Sequence, residues 1–375
     1  MGHEWMPLMT GRDWTRRGFL TSLAVAGAYG AEKKVHPFPA ERVRYADSAT
    51  EFPVTRLTSP EHSSVLAPAS HRVVSRRGAF LVFASDRGGS HQLVQMFLNT
   101  GEARPLTEAA ALDPRSPVLS PDDRSVLFFD GPVLRQLVFA SMRETEIYRV
   151  PERWSQAPGF SVSQDGSRAC LVETREGRWR LRVAPLRSRG GEAATAFEAP
   201  APLGEPLPRP RHEDVLYRDG DGFLALWEED GRKSRRLPLA AGRSGPAFWS
   251  ADGESLVYLS SPADRGQLNT IREWAAGSDS ERLVAPTSQY ASFAPNPNGS
   301  IFVGASASKA SPYILLLLKL TRRELPLCEH RASSAGGGCP VFSPDSQHVF
   351  YQSDRDGKPA IYMVDVQRLV ERTEE

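Results

Sequence analysis

Four stretches of this chain are variations on one phrase. Residues 117–129 read PVLSPDDRSVLFF, 158–171 read PGFSVSQDGSRACL, 246–258 read PAFWSADGESLVY and 340–351 read PVFSPDSQHVFY. Each is an apolar segment, a polar turn carrying Asp or Gly, and a second apolar segment. SFAPNPNGSIFVG at 292–304 is a weaker copy. Alternating apolar residues pin a strand register, and an Asp-Gly or Asn-Gly pair tolerates the positive φ of a tight turn, so each copy predicts a β-hairpin. Two copies run on: FLVFASDRGGSHQLVQMFL at 80–98 and VFYQSDRDGKPAIYMVD at 349–365 turn at Ser-Asp-Arg and enter a third alternating strand. A fourth strand ends in segments such as Arg104-Pro105-Leu106-Thr107. Four antiparallel strands in about 40 residues make the blade of a β-propeller.

Seven such units can be counted, at about 71–109, 112–153, 157–200, 204–242, 243–287, 289–330 and 336–368. The last stops after its third strand, while FPVTRLTSP at 52–60 reads as a spare outer strand. The expected fold is therefore all-β: a seven-bladed β-propeller of four-stranded antiparallel blades, its last blade completed by an N-terminal strand. Closing the ring this way removes exposed sheet edges. The expected layout is one propeller domain at 52–375 preceded by an extension at 32–51. No helical period of useful length follows residue 31, and the Ala-, Gly- and Pro-rich stretch 187–208 reads as an elongated turn between blades. The Ser-Pro-Asp and Asp-Gly turns read as structural. So do Arg87 and Arg355 of the Ser-Asp-Arg turns, which are expected to hold neighbouring blades together.

The N-terminus carries a different signal. WTRRGFL at 14–20 opens a weakly apolar run to residue 31, too short to cross a bilayer, with small residues at its end. Twin arginines in that context predict a twin-arginine export signal at 1–31, cut after Ala28, Gly30 or Ala31, and a mature chain that is periplasmic or extracellular with no membrane span. Net charge is +1, so no electrostatic footprint points to nucleic acid as a partner. The three cysteines, Cys170, Cys328 and Cys339, lack the paired spacing of a zinc site. Cys328 and Cys339 flank a loop, where an oxidising compartment permits a bridge. Free, half-buried thiols are the other reading.

The order of these units resembles the oligogalacturonate lyase family among the TolB-like propellers. The resemblance runs from about residue 52 to 367. It is carried by the RLT strand before His62, the LVFASDR and TGEARPLTE segments, GEPLPRP at 204–210, AFWSADGESLVY at 247–258, NGSIFVG at 298–304, LCEH at 327–330 and FSPDSQHVFYQSDRDGKPAIYMVDV at 342–366. The resemblance implies a pectate-type lyase that cleaves short galacturonate chains by β-elimination with a divalent metal, typically manganese, in the central channel. Metal and arginine would neutralise the uronate carboxylate while a base takes the adjacent proton. The family's metal-binding histidines fall here on Ser292, Gly337 and Cys339. Its histidine before the retained Arg209 is Glu205, and its histidine before the Phe-Trp pair is Pro246. No metal cofactor is therefore expected, and elimination is in doubt.

What survives is a set of binding candidates. Arg209, Arg115 and Arg243 are read as lying where inner strands begin, as are Gln289 and Tyr290, and Arg209 is the first candidate for holding a carboxylate. An ion pair between blades is the structural reading of the same residue. His62 and His330 match family histidines and could border the channel, whereas His71, His91, His212 and His348 read as surface or packing residues. No GxSxG, GxGxxG or GKS/T motif is present. The leading expectation is an exported propeller that binds uronate oligosaccharides in its channel. The alternatives are a non-catalytic propeller with a protein partner, and an enzyme rebuilt around Arg209 and Glu205. Fold alone cannot choose among them.

Overall fold

The repeated phrase is a turn with a side-chain clasp. In blade 2 the Ser120 hydroxyl donates to Asp122 Oδ1 at 2.7 Å and accepts the Ser125 N–H at 3.0 Å, while the Arg124 N–H reaches the same carboxylate at 3.1 Å. Ser163 and Asp165, Ser250 and Asp252, and Ser343 and Asp345 repeat it at 2.7, 2.5 and 2.5 Å. In blade 6 Asn296 takes the serine's part, its Oδ1 accepting the Ile301 N–H at 3.0 Å. The fourth residue of the turn is left-handed: Gly166 at φ 68°, Gly253 at 79°, Gly299 at 68°, and two non-glycines, Asp123 and Ser346, both at 60°. Short polar side chains thus satisfy the backbone at each hairpin tip, and this is why Ser, Asp and Gly recur at fixed spacing.

The computed structural model describes residues 37–187, 192–264, 266–334 and 338–370, all within a unit that begins at Pro37. The expected signal at 1–31 and the substituted ligand position Gly337 lie outside the described residues. Six four-stranded antiparallel sheets follow in chain order, and a seventh combines both ends of that unit. Blade 1 runs from the inner strand Ser64–Val65 to Ala103–Pro105, blade 2 from Val118–Leu119 to Arg143–Arg149, and blade 3 from Ser155–Val162 to Ala194–Ala199. Blades 4, 5 and 6 span Gly204–Pro208 to Lys233–Arg236, Arg243–Trp249 to Glu281–Pro286, and Tyr290–Pro295 to Arg323–Glu329. Blade 7 stacks Val341–Phe342, His348–Ser353 and Ala360–Asp365 against Pro53–Arg56.

Strand alternation divides each blade between two interfaces. Val126 and Phe128 pack toward blade 1, and Leu127 and Phe129 toward blade 3. Every blade boundary is filled in this way by its own apolar cluster, the seam between blades 7 and 1 included.

The expected closing strand forms, with Val54 opposite Val364 and Arg56 opposite Tyr362. The assigned extension does more than expected. Val43–Ala46 adds a fifth strand to blade 7, opposite Pro53–Arg56. Ahead of it Phe38 bridges Ala103 on the outer strand of blade 1. Arg87 lies over the Phe38 ring at 4.3 Å and pairs with Glu41, so the Ser-Asp-Arg arginine of blade 1 secures this strap. Arg355 does the same between blades 6 and 7, donating to the Glu329 carbonyl at 3.1 Å. The only described helix is the short Gln367–Val370.

Candidate functional site

Each inner strand loses register with its neighbour once. The breaks fall between Gln156 and Phe160, Gly204 and Leu207, Ser244 and Ala247, and Tyr290 and Ser292. In blades 2 and 7 residues 113–117 and 339–340 lie between a bonded pair and the strand proper. The extra residues cannot fit the pleat and bulge out of the ladder. Prolines 117, 158, 206, 246 and 340 sit in these breaks, where no N–H is needed. Two breaks carry strain. Glu205 has φ 48° and Cys339 φ 29°, and each precedes a proline, which disfavours anything but extended backbone.

Blade 1 has the longest break, residues 66–72, beginning earlier than the blade start near 71 read from sequence. Leu66 N–H reaches Gln352 Oε1 in blade 7 at 3.0 Å, and the Arg72 carbonyl takes the Leu119 N–H of blade 2 at 2.8 Å. His71 is 5% exposed, with Nε2 2.5 Å from the Phe160 carbonyl of blade 3 and its ring edge-on to Phe160. A loop that touches blades 7, 2 and 3 can do so only at the hub, which it partly fills. Burial pushes the His71 pKa down, against the pull of the Phe160 carbonyl. The packing reading of His71 thus holds, but its place in the hub was not legible, because LAPASHR carries no strand or turn signature.

Inner strands begin at one face of the ring and end in the clasp turns at the other. Arg115, Arg243 and Gln289 are exposed where the inner strands of blades 2, 5 and 6 begin. Neither arginine has an ion pair among the described residues. The charge of Arg115 acts on Cys339, at the break of blade 7, although burial raises the thiol's pKa overall. These groups share one rim.

Arg209 does not join them. It follows Gly204–Pro208 and takes the serine position of the blade 4 turn, with its N–H on the Asp214 carbonyl at 2.9 Å. It therefore lies where the inner strand ends, on the opposite face from the one expected. Its Nε donates to the Gly253 carbonyl of blade 5 at 2.7 Å, and Nη1 pairs with Asp214 at 3.1 Å. Its contacts are those of a staple between adjacent turns. Glu205 is held by Arg218, which also donates to the Ser244 and Gly245 carbonyls at 2.7 and 3.0 Å. His62, just ahead of the inner strand Ser64–Val65 of blade 1, lines a cavity of about 20 Å³ with Glu41, Ser59 and Arg87, beside the N-terminal strap. His330 is buried, with Nε2–H on the Ser306 carbonyl at 2.9 Å and Nδ1 accepting the Ala332 N–H at 3.0 Å, and burial lowers its pKa. No disulfide joins Cys328 to Cys339; the Cys328 thiol lies 3.4 Å from the Tyr351 hydroxyl.

A divalent metal does not fit this donor set. Ser292 Oγ is buried without a hydrogen-bond partner among the described residues, and a neutral hydroxyl is a weak ligand. Burial raises the pKa of the Cys339 thiol, and sulfur is in any case too soft for manganese. Both ring nitrogens of His330 are engaged. Among the described residues no group of three or more His, Cys, Asp or Glu side chains could hold an ion.

Comparison with known proteins agrees with the architecture. The chain is 24% identical over 376 residues to the oligogalacturonate lyase of Dickeya dadantii, covering 86% of this chain and 95% of that protein. It is 23% identical over 372 residues to the oligogalacturonide lyase of Pectobacterium atrosepticum, with the same coverage. A solved oligogalacturonate lyase in complex with manganese superposes with a TM-score of 0.82 at 24% identity, over 88% of this chain and 98% of that one. The oligogalacturonate lyase of Vibrio parahaemolyticus gives 0.82 at 23% identity, over 89% and 98%. The family model described as oligogalacturonate lyase matches residues 33–308, well over half of the chain, and the protein belongs to that family.

Proposed function

We propose that this protein is an exported propeller that binds acidic oligosaccharides of the oligogalacturonate class at the rim where its inner strands begin, without the metal-assisted elimination its family name implies. One observation carries the reading. The rim keeps two arginines without a carboxylate partner among the described residues, Arg115 and Arg243, while the neighbouring breaks present Ser292 and Cys339 where the family's metal-binding histidines are expected. A guanidinium fork receives a uronate carboxylate bidentately and needs no metal to do so. Gln289, exposed beside them, supplies an amide for sugar hydroxyls. Elimination needs a base as well, and the nearby candidates are committed: Glu205 to Arg218, and His330 to two backbone groups.

The test uses the purified mature chain with trigalacturonate. Calorimetry should show binding that survives chelation. Replacing both arginines, Arg115→Gln with Arg243→Gln, should weaken it about tenfold or more, the worth of one or two charge-assisted hydrogen bonds. Absorbance of an unsaturated product should stay flat. One manganese per chain together with product formation would overturn the non-catalytic half of the reading, and no affinity for trigalacturonate would overturn the binding half. Export rests on WTRRGFL; Arg16→Lys with Arg17→Lys should leave the chain in the cytoplasmic fraction.

A further inference from the structure

Away from the hub, blades 2 and 3 part at their outer edges around a cleft of about 540 Å³. That volume falls within the range of small-molecule sites. A bulge builds one wall. The outer strand Arg143–Arg149 loses register between Glu146 and Tyr148, so Ile147 is extra, and bulges of this kind re-aim the side chains beside them. The cleft is lined here by Tyr148 and Arg149, and opposite by Arg182 from the third strand of blade 3 with Glu192 and Ala193 from the approach to its fourth.

Arg182 differs from its strand neighbours. On its own strand, Arg178–Pro185, Arg178 pairs with Glu198 and Arg180 with Glu173. Arg182 has no carboxylate partner among the described residues. It donates to Thr195 Oγ1, its Nε is buried with no acceptor, and its guanidinium carbon lies 5.9 Å from the centre of the Tyr148 ring. The guanidinium thus lines the cleft with no counter-charge among the described residues, and an incoming carboxylate would supply one. The other charges do not supply one. Arg149 and Glu146 satisfy each other at 2.5 Å, and Glu173 is taken by Arg180 and by the Tyr148 hydroxyl.

We propose that this cleft is a second ligand site, which takes a single hexuronate: the carboxylate on Arg182 and the apolar face of the sugar ring over Tyr148. The cleft is far larger than a bare inorganic anion needs. An aromatic face beside Ile147 and Ala193 suits the C–H side of a pyranose. Glu192, on the cleft wall and without an ion pair among the described residues, opposes the incoming charge and weakens the site. The choice of ligand rests on the cleft's own residues and does not depend on the rim.

Titration calorimetry with D-galacturonate, and with D-galactose as the neutral control, tests this in a chain already carrying Arg115→Gln and Arg243→Gln. Galacturonate should still bind at one site per chain, and galactose about tenfold or more weaker. Arg182→Gln should reduce galacturonate affinity about tenfold. Glu192→Gln, an exposed change that leaves folding intact, should raise it about threefold. Equal binding of the two sugars overturns the proposal. So does loss of all galacturonate binding in the rim double variant, an outcome that leaves the rim reading standing. Unchanged affinity in both Arg182→Gln and Glu192→Gln overturns it as well.

Discussion

The fourth residue of each clasp turn has to be left-handed, and most copies use glycine for the purpose. Ser346 and Asp123 do not. Ser346→Gly should change stability by less than about 0.5 kcal/mol, because relief of the left-handed Cβ is offset by loss of the Asn296 Nδ2 hydrogen bond that the Ser346 hydroxyl accepts at 3.3 Å. Asp123 is less free to change, because its carboxylate pairs with Arg72 and accepts the Arg76 N–H at 2.8 Å. At Gly253 a Cβ would meet the Pro210 carbonyl oxygen at 2.3 Å. Gly253→Ala should therefore cost more than about 2 kcal/mol in urea unfolding. These positions were readable because a turn's chemistry is local. The strained breaks were not: positive φ at Glu205 and Cys339, each before a proline, leaves no pattern in the sequence. Arg209 went to the wrong face for the same reason. The blade 4 turn lacks Ser and Asp, so nothing marked Arg209 as its first residue.

The blade boundaries were legible wherever alternation was strong, but blade 1, read from about 71, begins at Ser64, blade 4, read to 242, ends at Arg236, and the stretch 187–208, read as a turn, holds the strands Ala194–Ala199 and Gly204–Pro208. Val43–Ala46 was missed because VRYA is an edge strand with little to bury, and its residues are mostly exposed. Burial writes the period-2 pattern, so a strand that buries little leaves little trace. Pro53–Arg56 differs, since it is bonded on both sides, with Thr55 opposite both Arg44 and Met363. Thr55→Pro removes a ladder N–H from what is now an interior strand. It should cost about 3 kcal/mol or more, visible as a lower thermal midpoint. Were the strand an appendage rather than part of the blade, the midpoint would hardly move.

Across the whole molecule, stability should respond to mild acid through its buried histidines. His71 and His330 both have pKa values lowered from 6.5 by burial. As pH falls below 6.5 the unfolded chain takes up protons that the folded protein refuses, so stability drops through that window; above 6.5 both states are neutral and the contribution is constant. The thermal midpoint should decline between pH 6.5 and 5, and His71→Gln should flatten the decline. The ring also has a history in time. Its seam joins Arg56 to Asp356, 300 positions apart, at 3.2 Å. Bringing such distant segments together costs roughly 5 kcal/mol of chain entropy, which no local hairpin repays. Six blades can form from neighbours alone, and the seventh waits for the chain's beginning to meet its end. Until it does, Ala360–Asp365 is a bare strand edge. That interval, late in folding and early in unfolding, is when one copy of this protein is most open to pairing with another.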